Sequence, residues 1–162
     1  MSARADELDV PDDIVEFNRW ATGQGWSDGL PLIPPTPERV RTFLGSDDGD
    51  PKRTIAKLAP NYGAATVERI AVNAVMAGCE PGCLDVLIAV VAAIAEPKFN
   101  LHGVQPTTHP CGVMVMVNGS RARELGLHAG AGLFGPGFRA NATIGRAVRL
   151  ILQNIGGEVP GV

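Results

Sequence analysis

Residues 65–95 read ATVERIAVNAVMAGCEPGCLDVLIAVVAAIA, and this stretch decides the fold. Val67, Ile70, Ala71 and Ala74 recur at helical spacing, which predicts a helix over Ala65–Ala77 with one apolar face. Gly78 stands where a helix C-terminus favours a left-handed residue. Pro81 then opens a second helix running to about Ala95 and stopped by Glu96-Pro97. That helix is apolar nearly all round, so it belongs inside the molecule. Two helices joined by the turn Cys79-Glu-Pro-Gly-Cys83 are therefore the expected centre of the core. Asn73 interrupts the first apolar stripe and, if buried, needs a hydrogen-bonding partner.

Working outward on the N-terminal side, Thr54–Ala59 alternates as a strand and is ended by Pro60. Thr36-Pro37-Glu38 supplies an N-cap and a proline at the first helical position, for a short helix carrying Val40, Phe43 and Leu44 and stopping at Gly45. Asp12 or Asp13 caps a helix to about Thr22, Gly23–Pro35 wraps a surface, and Ser46–Asp50 is an acidic loop. On the C-terminal side, Gly112–Val117 contains Val-Met-Val-Met-Val, a run that suits a strand covered on both faces. Ser120–Leu125 reads as a short helix. A final helix over about Ala142–Ile155 turns Ile144, Ala147, Val148, Ile151 and Ile155 inward and ends at Gly156-Gly157. Helices outnumber strands. The expected class is α/β or α+β: a small, mostly buried sheet packed by about five helices, forming a single globular domain over residues 12–162 behind a disordered acidic tail at 1–11.

The 162-residue chain is 45% hydrophobic but only 5% aromatic, so Ala, Val, Ile and Leu must build the core. The first fourteen residues are acidic and polar, unlike a secretory signal, and Leu84–Ala95 is too short to span a bilayer. A cytoplasmic protein is expected. Three cysteines are an odd count, which favours free thiols or metal ligands over a disulfide framework. The net charge of −3 is unevenly spread: residues 1–50 carry −7, 51–118 carry +1 and 119–162 carry +3. With no basic run, a nucleic-acid partner is not expected, whereas the basic end suits a pocket for a small anion.

That basic end holds Gly126, Gly130, Gly132, Gly135, Gly137 and Gly145 within twenty residues. Glycines allow positive φ and close backbone approach, and successive free N–H groups make an anion nest. The loop then delivers Arg139, Asn141 and Thr143 to a helix N-terminus, where unpaired N–H groups favour negative charge. Neither a Walker loop nor a dinucleotide fingerprint is present. The bland alternative is a flexible surface loop with Asn141 as an N-cap.

Of the cysteines, Cys83 lies in the first turn of its helix, where the dipole lowers a thiol's pKa, whereas Cys79 follows a helix C-terminus. Local chemistry therefore makes Cys83 the better nucleophile, although both residues also suit a buried turn as small hydrophobes. Thr107-Thr108-His109-Pro110-Cys111 places a histidine two residues from a cysteine. His109 and Cys111 could form a thiol–imidazole pair, or join His102 and Cys79 as soft ligands of a transition metal such as Zn, Fe or Cu. His128 sits inside the glycine loop. No carboxylate pair stands out.

Several segments, namely Asp28–Thr36, Ala65–Cys79, Phe99–Gln105, the Asn-Ala-Thr-Ile-Gly-Arg motif within Arg139–Arg149, and Asn154–Gly157, together resemble a poorly characterised bacterial family. Some of its members stand beside, or are fused to, a small thiol or selenol domain with a Sec/Cys-Gly-Ser-Cys motif. The resemblance implies thiol chemistry or a metal held by soft ligands. It marks Asn73, Cys79, Asn100, His102, Gln105, Thr107, Thr108, His109, Arg139, Asn141, Thr143 and Arg146 as the matching positions. It also implies that a separate subunit supplies what the relatives carry beyond the Gly-Gly. The resulting expectation is one subunit of a hetero-oligomeric enzyme acting on a small anionic metabolite. Cys79, His109 and His102 form its catalytic set. Asn73, Thr107, Thr108, Gly135, Gly137, Arg139, Asn141, Thr143 and Arg146 bind its substrate. The alternative is a non-catalytic scaffold or substrate-binding subunit whose partner carries the chemistry.

Overall fold

Asp13 accepts hydrogen bonds from the Val15 and Glu16 N–H groups (2.9 and 3.0 Å), and helix α1 (Ile14–Gly23) starts there. A capping carboxylate at this position satisfies donors that have no partner within the helix. Thr36 does the same for α2 (Pro37–Leu44), and Thr66 for α3 (Val67–Ala77). The chain is seen in a computed structural model describing residues 8–45 and 49–159. The start of the expected acidic tail and the first three residues of the acidic loop lie outside the described residues.

The fold is mixed α/β. Strands β1 (Thr54–Leu58) and β2 (Gly63–Thr66) form an antiparallel hairpin, pairing Ala56 with Ala65 and Leu58 with Gly63. The sequence reading placed Ala65 and Thr66 in the helix. Their alternation is too short to register as a strand, and it is the hairpin partner that draws them out. After α3 come α4 (Leu84–Ile94), α5 (Leu101–Val104), α6 (Ser120–Glu124) and α7 (Arg139–Ile151), the last continued by a π-helical turn over Leu152–Gly156.

Helices α3 and α7 form the main packing pair, with α2 and α4 laid against α3. Ile70, Ala71 and Ala74 of α3 and Ala147, Leu150 and Ile151 of α7 are fully buried, as their spacing requires. Alanines allow the two backbones to approach closely. The hairpin packs on the π-turn: a Cβ on Gly63 would collide with the Ile155 carbonyl, and one on Gly156 would lie 2.7 Å from the Ala59 carbonyl oxygen.

One expected strand is corrected. Gly112–Val117 forms no ladder with any strand among the described residues. Its side chains alternate as in an extended chain, with Val113, Val115 and Val117 packed on the core, but Met114 and Met116 are 64% and 77% exposed. The run is apolar on both faces, yet this chain covers only one of them. No helix among the described residues is long and apolar enough to cross a membrane.

Candidate functional site

The turn between α3 and α4 is built by two glycines. Gly78 ends α3 with φ 86°, and the Cys79 N–H reaches back to the Ala74 carbonyl at 3.0 Å, closing the helix C-terminus. Gly82, with φ 100°, reverses the chain again, so that Cys83 becomes the N-cap residue of α4. The two thiols thereby flank one turn, both buried, and each influences the other's ionisation. Cys79 donates to the Thr143 carbonyl and Cys83 to the Glu80 carbonyl, each at 3.3 Å.

The pair is electrostatically unequal. The neighbouring Cys79 thiol holds the Cys83 thiol below its ordinary range; burial and the Asp85 charge oppose this, and a backbone N–H and the Arg121 charge assist. Cys79 is pushed well above the thiol range, first by that same contact with Cys83 and then by desolvation, with Arg139 opposing. The first proton lost from the pair therefore leaves a thiolate centred on Cys83, toward which the Cys79 S–H can turn from the Thr143 carbonyl.

Arginines brace both ends of the turn. Arg139, the first residue of α7, donates to the Gly78 carbonyl (3.2 and 3.3 Å) and to Glu80 (2.5 Å). Arg121 of α6 forks onto Asp85 (2.8 and 2.9 Å), bonds Glu124 at 3.0 Å and also bonds the Gly82 carbonyl. Arg121 holds the Asp85 carboxyl below the usual carboxylate range. Beside the turn, between α2 and the end of α3, lies an open cleft of about 530 Å³ lined by Ile33, Thr36, Arg39, Phe43, Val75 and Cys79, among others.

Of the expected site residues, Arg139 and Thr143 of α7 stand against Cys79. The remaining expected residues do not join them. Cys79, His102, His109 and Cys111 do not assemble as a metal centre: among the described residues no group of three or more His, Cys, Asp or Glu is placed to hold an ion. His102 stacks on Tyr62 with ring centroids 6.2 Å apart, and His109 faces Thr107 at 3.3 Å within its own exposed turn, as Cys111 and Thr108 are exposed nearby. Short-range spacing brought these side chains together on paper, but their turn runs along the surface.

Several expected substrate-binding groups are used up internally. Asn141 accepts from the His128 N–H (2.9 Å) and donates to the His128 and Leu133 carbonyls (2.9 and 3.2 Å). His128 stacks on Phe138 at 3.8 Å. The glycine loop is therefore stapled shut by its own side chains, with Gly135 bonded back to Gly132 (2.7 Å) and Gly137 exposed at φ 110°. Arg146 forks onto Asp28 (2.8 Å twice) and bonds the Leu30 and Pro31 carbonyls. Asn73 donates to the Arg69 carbonyl and accepts from Asn154 at 2.8 Å, and Asn154 also reaches the Trp26 carbonyl. With Gln153 bonding the Gly25 and Ser27 carbonyls, these groups fasten the Gly23–Pro35 connection to α7 and its π-turn. Asp28, Arg121, Gln153 and Asn154 went unmarked as site or scaffold groups because their partners lie 36 to 128 residues away. Gln105, 6% exposed, keeps a side-chain nitrogen without a hydrogen-bond partner among the described residues.

No protein family, curated protein or solved structure matches the chain. The site is therefore read from its own chemistry.

Proposed function

We propose that this chain is the thiol-bearing subunit of an enzyme acting on a small anionic metabolite, with the Cys79–Cys83 pair as its reactive centre. The observation that carries this reading is the pair of buried thiols on the α3–α4 turn, in which one thiol favours ionisation of the other. Cys83 supplies the thiolate. Cys79, which lines the cleft, keeps its proton and supplies the stabilising hydrogen bond. Anion preference rests chiefly on Arg139 beside Cys79, since Arg39 shares the cleft wall with Glu38. Arg139 is 59% exposed and bridges to a Glu80 that is 67% exposed; such surface pairs are weak, so an incoming anion competes for the guanidinium.

Iodoacetate and iodoacetamide, an anionic and a neutral thiol reagent of the same size, test this directly. Native protein is treated with each in parallel and the three cysteines are followed by mass spectrometry, with exposed Cys111 as internal reference. The iodoacetate-to-iodoacetamide rate ratio at the Cys79–Cys83 pair is expected to exceed that at Cys111 several-fold, and to fall to the Cys111 value in Arg139→Gln. An equal or lower ratio in the unaltered protein refutes the anion site.

A second reading, a non-catalytic binding or scaffold subunit, is favoured by the internal use of Asn73, Asn141 and Arg146. It predicts no preference between the two reagents.

A further inference from the structure

The segment Val113-Met-Val-Met-Val117 has no backbone hydrogen bond to any described residue, and no charged residue or proline within it. Natural sheets protect an open edge with lysine, proline, bulges or a covering element, because free N–H and C=O groups recruit another strand. None of these protections is present among residues 113–117. An uncharged window of β-branched and apolar residues left open in this way is an aggregation hazard unless something covers it.

The sequence itself indicates what covers it. Val-Met-Val-Met-Val is a palindrome, so an antiparallel pairing about a two-fold axis at Val115 places Val113 opposite Val117, Met114 opposite Met116 and Val115 opposite itself. Residues directly opposite in an antiparallel pair project to the same face. Every valine of both copies then stays on the core side and every methionine on the outer side. A slip of one residue would set valines opposite methionines and turn one copy's core face outward, so the alternation fixes the register. The surface is also self-complementary, as a two-fold interface must be. We infer that Val113–Val117 pairs antiparallel with the same segment of a second copy, joining two chains through one continuous strand pair. This inference does not depend on the thiol chemistry proposed above. A five-residue pairing is small beside the ~1,600 Å² of a standard stable interface, so the dimer forms in a concentration-dependent way.

Charge placement tests both the partner and the register, using the exposed methionines so that the core is left alone. In Met114→Lys/Met116→Lys, lysines stand opposite each other at both positions. In Met114→Lys/Met116→Glu, each lysine stands opposite the second copy's glutamate. Sedimentation velocity across a hundredfold concentration range, with circular dichroism to confirm folding, is expected to show a dimer for the unaltered chain. The double-lysine variant should be monomeric throughout and the lysine–glutamate variant dimeric again. A chain that stays monomeric at every concentration, as it would if this strand served a different protein, overturns the inference. So does a double-lysine variant that still dimerises, or a lysine–glutamate variant that does not. Should the double-lysine variant fail to fold, hydrogen exchange at residues 113–117 of the unaltered chain decides the matter: protection that rises with concentration supports the pairing, and protection that does not change refutes it.

Discussion

Replacing Arg146 by alanine separates a fastening role from a ligand-binding one. The Arg146 guanidinium makes two 2.8 Å bonds to Asp28 and two more to the Leu30 and Pro31 carbonyls, with only 18% and 11% of the two side chains exposed. Breaking a buried ion pair from one side costs about 3–5 kcal/mol, because the other charge is left behind. Because Arg146 keeps some solvent contact, the low end applies, about 3 kcal/mol. For a domain of this size that lowers the melting temperature by about 6–12 °C. Urea unfolding followed by circular dichroism measures the loss. The Arg146→Ala/Asp28→Ala double variant should be less destabilised than the sum of the two single changes. The pH dependence has a definite sign. The arginine holds the Asp28 carboxyl below its ordinary value, so the pair's contribution is complete above the unfolded carboxylate pKa near ~4 and disappears as pH falls through the lower folded value. The gap between the unaltered protein and Arg146→Ala should therefore close in acid. A loss below about 1 kcal/mol at neutral pH, or a gap that does not narrow below pH ~4, would refute the fastening role.

Two further substitutions probe the scaffold around the site. Asn141→Ala removes three hydrogen bonds that close the glycine loop, so stability should fall by about 2 kcal/mol and limited proteolysis should cut within residues 126–138 much faster; unchanged cleavage would show that the staple is not what orders the loop. Gly63→Ala drives a methyl group into the Ile155 carbonyl, a backbone atom that cannot step aside. It should lower stability by at least about 1–3 kcal/mol in urea unfolding, and a neutral effect would place the hairpin further from the π-turn.

The sequence made the helices legible because their signals are local. Asp13, Thr36 and Gly78 sit at the caps where their chemistry placed them, and the apolar stripes of α3 and α7 face the core. The unequal dithiol was half legible. Cys83 was expected inside the first turn of a helix opened by Pro81; α4 instead starts at Leu84 with Cys83 as its N-cap, because Gly82 adopts φ 100° and keeps Pro81 in the turn. The fastening roles of Arg146, Asn141 and Asn73 were not legible, since polar residues read identically whether they face a ligand or a distant carbonyl. His102 and His109 illustrate the converse error: a chemically suggestive spacing carries no information about which way the surface turn runs.

The central claim, a Cys83 thiolate stabilised by Cys79, is tested most directly by thiolate absorbance at 240 nm against pH. A Cys111→Ser background removes the exposed thiol. In that background one thiol should ionise with a midpoint below the ordinary value of ~8.5. Adding Cys79→Ala deletes the hydrogen-bond donor and should move the midpoint upward, while adding Cys83→Ser should abolish the low transition altogether. A single midpoint at or above the ordinary thiol value in the Cys111→Ser protein, unchanged by Cys79→Ala, would contradict the account.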